Sequence, residues 1–205
     1  MKTLQIKLKN FNVLYPKYRP RALRSVNIGT KRNPIKVEAV VYRTSIEFKE
    51  DFKYCPDGAS AVFIPNNAAI NNSKQFALKV FYNKNEAYSS WLRQKIAAKV
   101  GLAPPVGKMI VVLDKKGKIK HVGYQTAVCY MAKNVNIKPY FVNKLSRNLS
   151  MIKLPKKCKT IPYDETCSPC ESDARLGEDL HKDNYGFWKG NLVCIDFGSD
   201  SLSYP

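Results

Sequence analysis

Three polar side chains in the last third of the chain have a spacing that chemistry can use. Asp179 and Asn184 lie five residues apart in a turn-rich segment. A hairpin turn at 189–191 then leads into the apolar run 192–195, which delivers Asp196. Carboxylate and amide oxygens are hard ligands that suit Mg²⁺, an ion that also binds phosphates. Asp179, Asn184 and Asp196 are therefore the first candidates for chemistry in this chain.

The segment 177–198 resembles the catalytic core of the protein-kinase-like family, in which an Asp, an Asn five residues on and an Asp-Phe-Gly follow one another. The resemblance implies that Asp179 accepts the proton of the substrate hydroxyl, and that Asn184 and Asp196 hold the Mg²⁺ bound with ATP. Gly-Glu precedes Asp179, where protein kinases have His-Arg. The segment looks more like small kinase-like proteins of bacteriophages and bacteria.

The resemblance extends upstream to a strand that contains a lysine. Phe76-Ala77-Leu78-Lys79 is similar to the Val-Ala-Ile-Lys strand of kinases, which implies that Ala77 and Lys79 contact the nucleotide and that Lys79 binds its phosphates. Gly58 lies in a turn between two predicted strands, where the family has three glycines over the phosphates. Either Val62 or Phe63 would then cover the adenine, because the register stays open by one residue.

A helix is predicted from Asn85, a suitable N-cap, to Val100, with Gly101 as its end. In the family this helix supplies a Glu that pairs with the strand lysine. Glu86 is the only acid available, although Gln94 lies at a more suitable position along the helix. Either Glu86 pairs with Lys79, or the pair is missing.

Apolar periodicity places the other elements. Strands are predicted in the regions 35–64, 75–81, 108–113 and 119–130, and one or two short helices within 137–154. Phe48, Phe52 and Tyr54 are included in the first strand region. The last strand leads to the expected hinge, where backbone groups of Val128 and Cys129 would bind the adenine edge.

The predicted fold class is α+β, a protein-kinase-like fold of two lobes with an antiparallel sheet in the N-lobe and a strongly truncated C-lobe. Residues 1–36 form a basic extension, 37–128 the N-lobe and 129–205 a minimal C-lobe. The extension holds a predicted strand near 4–8. Its basic, aromatic segment 15–21 either contacts nucleic acid or packs on the domain.

The charge distribution is uneven. The net charge is +19; twelve Lys or Arg and no Asp or Glu lie between Lys115 and Tyr163, whereas seven acids and three bases follow from Glu171 onward. Such a surface predicts attraction to polyanions, or it serves solubility alone. No run approaches the ~20 apolar residues of a membrane span, and no signal peptide is evident. We therefore expect a cytoplasmic protein, in the host cytoplasm if it is viral, without membrane contact.

Three cysteines have the spacing of a possible zinc site. Cys158, Cys167 and Cys170 end in a Cys-x2-Cys knuckle, for which His181 or Cys55 would supply the fourth ligand. Unliganded thiols are the alternative. Cys194 lies in the apolar run 192–195 and is expected to behave as a small buried hydrophobic group.

Two functions follow from this pattern. The first is an ATP- and Mg²⁺-dependent kinase-like phosphotransferase that acts on Ser or Thr of a protein, a host protein if the source is a virus. The alternative is a pseudokinase-like binding protein whose basic surface engages nucleic acid or an acidic protein partner. The presence of Lys79, Asp179, Asn184 and Asp196 favours the enzyme, whereas the sparse glycines around Gly58 favour the alternative.

Overall fold

The chain divides into two compact units. Residues 1–87 and 106–127 form the first unit, and residues 88–105 and 128–205 form the second. The computed structural model describes residues 23–31, 34–55, 61–65, 76–81, 83–127, 129–131, 135–153, 176, 180 and 184–197. The predicted strand at 4–8 and the segment 15–21 lie outside these residues.

The first unit contains a seven-stranded sheet. Its strands are β1 (Leu23–Asn27), β2 (Lys36–Tyr42), β3 (Phe52–Cys55), β4 (Ala61–Pro65), β5 (Phe76–Phe81), β6 (Val106–Leu113) and β7 (Ile119–Ala127). Their spatial order is β1-β2-β6-β7-β5-β4-β3, and every neighbouring pair is antiparallel except β2 and β6. The mixed α+β class and the mainly antiparallel sheet are as predicted. Strand β1 comes from the segment that the sequence assigns to the extension.

A short helix interrupts the first predicted strand region. Helix α1 (Ser45–Asp51) begins after Thr44, whose hydroxyl accepts a hydrogen bond from the Glu47 backbone N–H at 3.1 Å. The Glu47 carboxylate accepts a bond from the Arg43 N–H at 2.9 Å. The strand prediction at Phe48 is therefore wrong, because these end contacts stabilise the first turn of a helix.

One face of the sheet carries the apolar core of this unit. Phe48 of α1 stacks on Phe52 with ring centroids 5.4 Å apart, and both rings meet Tyr42 edge-on. The buried core residues are Val40, Tyr42, Phe48, Phe52, Phe76, Leu78, Val80, Ile110 and Val112. Because successive side chains of a strand point to opposite faces, Lys79 lies on the face away from this core.

The strands predicted at 108–113 and 119–130 are joined by a tight turn, in which the backbone of Asp114 bonds with those of Gly117 and Lys118. Asp114 Oδ1 accepts hydrogen bonds from the backbone N–H groups of Lys116 and Lys118, at 2.9 and 2.8 Å. Gly117 has φ +75°, a conformation that costs little only without a Cβ. The side chain of one Asp thus closes a turn that is otherwise strongly basic.

The second unit contains a three-stranded antiparallel sheet, one complete helix and most of a second helix. Strands β8 (Tyr130–Met131), β9 (Tyr185–Trp188) and β10 (Asn191–Cys194) have the order β10-β9-β8. Helix α2 (Lys84–Lys99) starts in the first unit and continues in the second, and helix α3 (Pro139–Ser150) lies in the second. The buried core residues of the unit are Ala97, Ala98, Ala103, Leu145, Leu149, Leu176, Cys194 and Phe197.

Helix α2 has well-defined ends. Asn83 Oδ1 accepts the N–H of Asn85 at 2.9 Å and that of Glu86 at 3.4 Å, so the cap is Asn83 and not Asn85 as predicted. At the other end Gly101 has φ +79°, and the Leu102 N–H donates to the carbonyl of Ala97. This bonding pattern is that of a Schellman motif and confirms the predicted end of the helix. Among the helices that the structure describes, none has the length and apolar character needed to cross a membrane.

Candidate functional site

The hairpin of β9 and β10 places Asp196. Lys189 and Gly190 connect the two strands, with φ values of 52° and 80°, and Trp188 pairs with Asn191. Two positive φ values in a two-residue turn are the geometry of type I′, whose twist matches that of the strands it joins. The predicted hairpin is confirmed, and it ends two residues before Asp196.

The backbone brings the two predicted magnesium ligands together. The carbonyl oxygen of Asn184, just before β9, accepts hydrogen bonds from the N–H groups of Ile195 and Asp196, at 2.8 and 3.4 Å. Asn184 and Asp196 are both partly exposed. The end of the hairpin is thus hydrogen-bonded to the residue that precedes its first strand. The amide side chain of Asn184 and the carboxylate of Asp196 lie on adjoining backbone.

The main chain around Asp196 is also held from its other side. Cys194 Sγ donates to the carbonyl oxygen of Asp196 at 3.0 Å, and the Cys194 N–H donates to the carbonyl of Leu102 at 2.9 Å. Cys194 and Phe197 are 3% and 5% exposed. The prediction that Cys194 is buried is confirmed, and its thiol fixes the peptide that follows the candidate carboxylate.

The donor chemistry at this position fits Mg²⁺. Asn184 offers an amide oxygen and Asp196 a carboxylate, and Mg²⁺ is commonly bound by one or two such protein groups together with water and phosphate oxygens. Among the described residues no group of three or more His, Cys, Asp or Glu could hold a metal ion. An all-protein metal cage is therefore absent from the described part of the chain, whereas a metal shared with a phosphate ligand needs only the pair.

Lys79 lies in the first unit, on an inner strand of the sheet. Strand β5 is third from the edge, between β7 and β4, and the Lys79 side chain is only 8% exposed. An exposed edge strand commonly carries lysines as solvated charges, but Lys79 is neither at the edge nor exposed. Burying an ammonium group is costly unless polar or anionic groups compensate it, so this position is unlike that of an ordinary surface lysine.

The strand register identifies the neighbours of Lys79. Val62 of β4 and Tyr124 of β7 lie directly opposite it, on the same face of the sheet. Ala77, two residues earlier on β5, shares this face and is buried. Phe63 pairs with Leu78 and packs against Phe48 with a centroid distance of 5.1 Å. Of the two candidates for covering adenine, Val62 therefore shares the face of Lys79 and Phe63 belongs to the core.

A glycine lets the two strands approach beside Lys79. A Cβ at Gly123 would overlap the carbonyl oxygen of Lys79 and lie 3.1 Å from Val80 Cα. Atoms of the backbone cannot rotate away as a flexible side chain can, so any larger residue at 123 would displace β5. The position of the Lys79 backbone thus depends on a glycine that the sequence analysis did not single out.

Three buried residues of β7 were missed from the sequence. Tyr124 is fully buried opposite Lys79, and Thr126 lies on the same face opposite Ala77. Gln125 points to the other face; its Oε1 is buried and has no hydrogen-bond partner in the described structure. The signal for Tyr124 and Thr126 is the pairing of β7 with β5, which becomes readable only when the register is known.

Helix α2 carries Glu86 and Gln94, the two residues considered as partners of Lys79. Glu86 lies in the first turn of α2, where a carboxylate is favoured by the helix dipole. Gln94 is fully buried and its Nε2 donates to the carbonyl of Pro104 at 3.1 Å. The amide of Gln94 thus ties α2 to the loop before β6, and the pairing of Glu86 with Lys79 stays a prediction.

Several predicted site residues lie outside the described residues. They are Gly58, Val128, Cys158, Cys167, Cys170, Asp179 and His181. Cys129 is described and partly exposed, whereas Cys55 is described only as the last residue of β3. The hinge, the zinc site and the catalytic Asp stay predictions.

Comparisons with models of protein families, with curated proteins and with solved structures gave no match to this chain.

Proposed function

We propose that this protein is a minimal kinase-like phosphotransferase that uses ATP and Mg²⁺ to phosphorylate Ser or Thr hydroxyl groups of proteins. The observation that carries the proposal is the pair of backbone bonds from Ile195 and Asp196 to the carbonyl of Asn184. These bonds place the two expected metal ligands on adjoining backbone at the end of a tight hairpin. Neither Asn184 nor Asp196 lies in the turn at 189–190, so the turn and the proposed ligands can be mutated separately.

Asn184 and Asp196 would hold Mg²⁺ in this proposal. The ion, when bound with ATP, neutralises the charge on the phosphate oxygens. Both residues are partly exposed, as ligands of a nucleotide-bound ion must be. The thiol of Cys194 and the carbonyl of Asn184 restrain the backbone of Asp196 on its two sides, which limits the reorganisation needed on binding.

Lys79 would bind the phosphates of the nucleotide. The support is its burial on an inner strand, next to apolar Ala77 and opposite Val62. The small apolar side chains of Ala77 and Val62 beside one ammonium group suit a molecule with a flat ring at one end and phosphates at the other. Val62 rather than Phe63 would cover the adenine, since Phe63 packs in the core on the opposite face.

Asp179 would orient the attacking hydroxyl. In the transfer step a bond forms between the hydroxyl oxygen and the γ-phosphorus, the bond from that phosphorus to the β,γ-bridging oxygen breaks, and ADP leaves. The hydroxyl proton passes to the carboxylate of Asp179. Catalysis by such a site comes mainly from positioning and from stabilisation of charge.

The test combines binding with transfer. Thermal unfolding is measured with millimolar ATP, with and without Mg²⁺, and transfer of labelled γ-phosphate is followed to the protein itself and to a Ser/Thr peptide library. We expect a rise in melting temperature that requires Mg²⁺, and labelled Ser or Thr. An unchanged melting temperature would refute the nucleotide site, and stabilisation without transfer to any hydroxyl would leave a nucleotide-binding protein rather than a kinase.

A further inference from the structure

Helix α3 has one buried face and one exposed face. Leu145 and Leu149 are 4% and 0% exposed and belong to the core of the second unit. Tyr140 and Met151, on the other side, are 67% and 74% exposed, and Phe141 in the first turn is 51% exposed. These are among the most exposed large hydrophobic side chains that the structure describes, and two of them are neighbouring aromatic rings with centroids 5.5 Å apart.

The exposed face is also positively charged. Lys138, Lys144 and Arg147 are exposed, and the helix contains no acidic residue. None of these three side chains forms an ion pair with any residue that the structure describes. Within the described part of the chain these three charges are therefore directed at solvent.

The spacing combines these two properties in one stripe. Tyr140, Lys144, Arg147 and Met151 follow one another at intervals of four, three and four residues, which places them along one side of a helix. At 1.5 Å per residue the stripe extends for about 16 Å. The ring of Tyr140 thus lies at its start, cations in its middle and a flexible thioether at its end, and Phe141 and Lys138 lie beside its start.

We propose that this stripe, together with Phe141 and Lys138 beside its start, is a binding site for single-stranded nucleic acid. Unstacked bases pack on the exposed rings of Tyr140 and Phe141, and the phosphates of the same strand contact Lys138, Lys144 and Arg147. Single-strand binding surfaces combine a positively charged path with aromatic side chains on which bases stack, without sequence preference. The site is independent of the proposed transfer reaction, since it uses none of the residues assigned to ATP or Mg²⁺.

Charge alone does not separate nucleic acid from an acidic peptide, but the rings do. The face of an aromatic ring carries negative potential, so a carboxylate gains nothing from lying over Tyr140 or Phe141. A nucleobase, in contrast, has an uncharged flat surface that stacks on either ring. The exposed pair therefore favours a strand of nucleotides over an acidic protein segment.

An anionic membrane fits the helix less well. Helices that lie in the membrane interface bury a continuous apolar face among the lipids. The apolar face of α3, formed by Leu145 and Leu149, is already used in the protein core. The exposed side alternates its apolar residues with cations and with Asn143, which leaves no continuous surface for insertion.

The test is fluorescence anisotropy of the intact protein with labelled dT20 and rU20 oligonucleotides, at several salt concentrations. Tyr140→Ala and Phe141→Ala should each weaken binding about 5-fold to 160-fold, the range for loss of one stacked base. The double variant Lys144→Gln/Arg147→Gln should reduce the salt-dependence slope by about 1.4, since single strands give about 0.7 per phosphate contact. Tyr140→Phe should bind like the unaltered protein, because it keeps the ring.

Matched variants in the first unit are the controls. Lys115→Gln/Lys116→Gln removes two exposed charges from the turn of β6 and β7, and Tyr54→Ala removes an aromatic ring that is 55% exposed on β3. Both should bind like the unaltered protein, and circular dichroism should show that all variants are folded. Equal loss in the controls, or no binding of either oligonucleotide at low salt, would overturn the proposal. The proposal would also be overturned if Tyr140→Ala and Phe141→Ala weakened binding to phosphatidylserine vesicles or to polyglutamate but did not weaken binding to the oligonucleotides.

Discussion

The strand that carries Lys79 and the hairpin that delivers Asp196 hold their charged side chains by different kinds of contact. Lys79 is buried on an inner strand whose partners, β4 and β7, lie on either side of it in the sequence. Asp196 is partly exposed at the end of a hairpin whose two strands are joined by a two-residue turn. The first position depends on pairing across the sheet, and the second on contacts made nearby in the chain.

The two regions therefore place different requirements on their amino-acid sequences. The hairpin needs residues that accept positive φ, which Lys189 and Gly190 supply, and a carbonyl at Asn184 that any residue could offer. The sheet around Lys79 needs an exact fit between strands, since a single methyl group at Gly123 would overlap the Lys79 carbonyl. Substitutions of the proposed ligands in the second unit should therefore disturb the fold less than small changes beside Lys79 in the first.

The largest effect is expected for Asp196→Ala. Stabilisation by Mg²⁺–ATP, which mass action sets at about 2.7 kcal/mol at hundredfold excess over Kd, should disappear because the carboxylate ligand is lost. Scanning fluorimetry with and without Mg²⁺–ATP measures the effect. Glu38→Gln is the control; it removes an exposed carboxylate, 3.0 Å from Lys108, in the first unit. A variant at Asp196 that is still stabilised like the unaltered protein would exclude its role as a ligand.

Asn184→Ala tests whether scaffold and ligand are separate. The bonds that close the hairpin end use the main-chain carbonyl of Asn184, which Ala retains. The melting temperature without nucleotide should therefore fall less than after a core substitution, while the increase caused by Mg²⁺–ATP should fall as one proposed metal ligand is lost. If the unliganded protein itself loses stability to the extent expected for a core substitution, the side chain has a structural role and the proposed division fails.

Gly123→Ala should destabilise the first unit more than Gly190→Ala destabilises the second. At Gly190 the added Cβ meets no atom within 4 Å, so the cost is that of a positive φ, about 1–2 kcal/mol. At Gly123 the Cβ meets backbone atoms, and we expect the upper end of the about 1–3 kcal/mol range for overpacking. Urea unfolding followed by hydrogen exchange, which assigns the loss to one unit, gives the comparison. The reverse order would show that β5 and β7 can separate at little cost.

The same contrast explains how much of the structure could be predicted from the sequence. The β9–β10 hairpin and the turn at Gly117 were predictable because a few neighbouring residues determine them. The parallel pairing of β2 with β6 and the role of Tyr124 opposite Lys79 were not, because both depend on which distant strands become neighbours. The resemblance to kinases supplied the candidate residues, but it did not indicate which residues surround them.

The wrong strand prediction at Phe48, which lies in helix α1, has a different cause. Phe48, Phe52 and Tyr54 fit the apolar pattern of a strand, but the sequence Thr44-Ser-Ile-Glu47 directly precedes them. This is the pattern of a helix N-terminus, and in the structure the side chains of Thr44 and Glu47 both accept backbone N–H groups. Phe48 reaches the core from the helix as well as it would from a strand, so burial alone could not have decided between them.

The smallest effect is expected from pH, and it should be confined to the first unit. Burial, and secondarily the charge of Lys120, lowers the pKa of His121 below its ordinary value of 6.5. The unfolded chain therefore binds a proton more readily than the folded one, and stability is fully present above pH 6.5 and falls as the pH is lowered below it. Urea unfolding at pH 7 and pH 5 should show this loss in the unaltered protein and in His181→Gln, and His121→Gln should reduce it. Hydrogen exchange should place the change in β7 and not in β10. An equal pH slope in His121→Gln would mean that other groups, such as carboxylates that titrate at the lower end of this range, produce the whole effect.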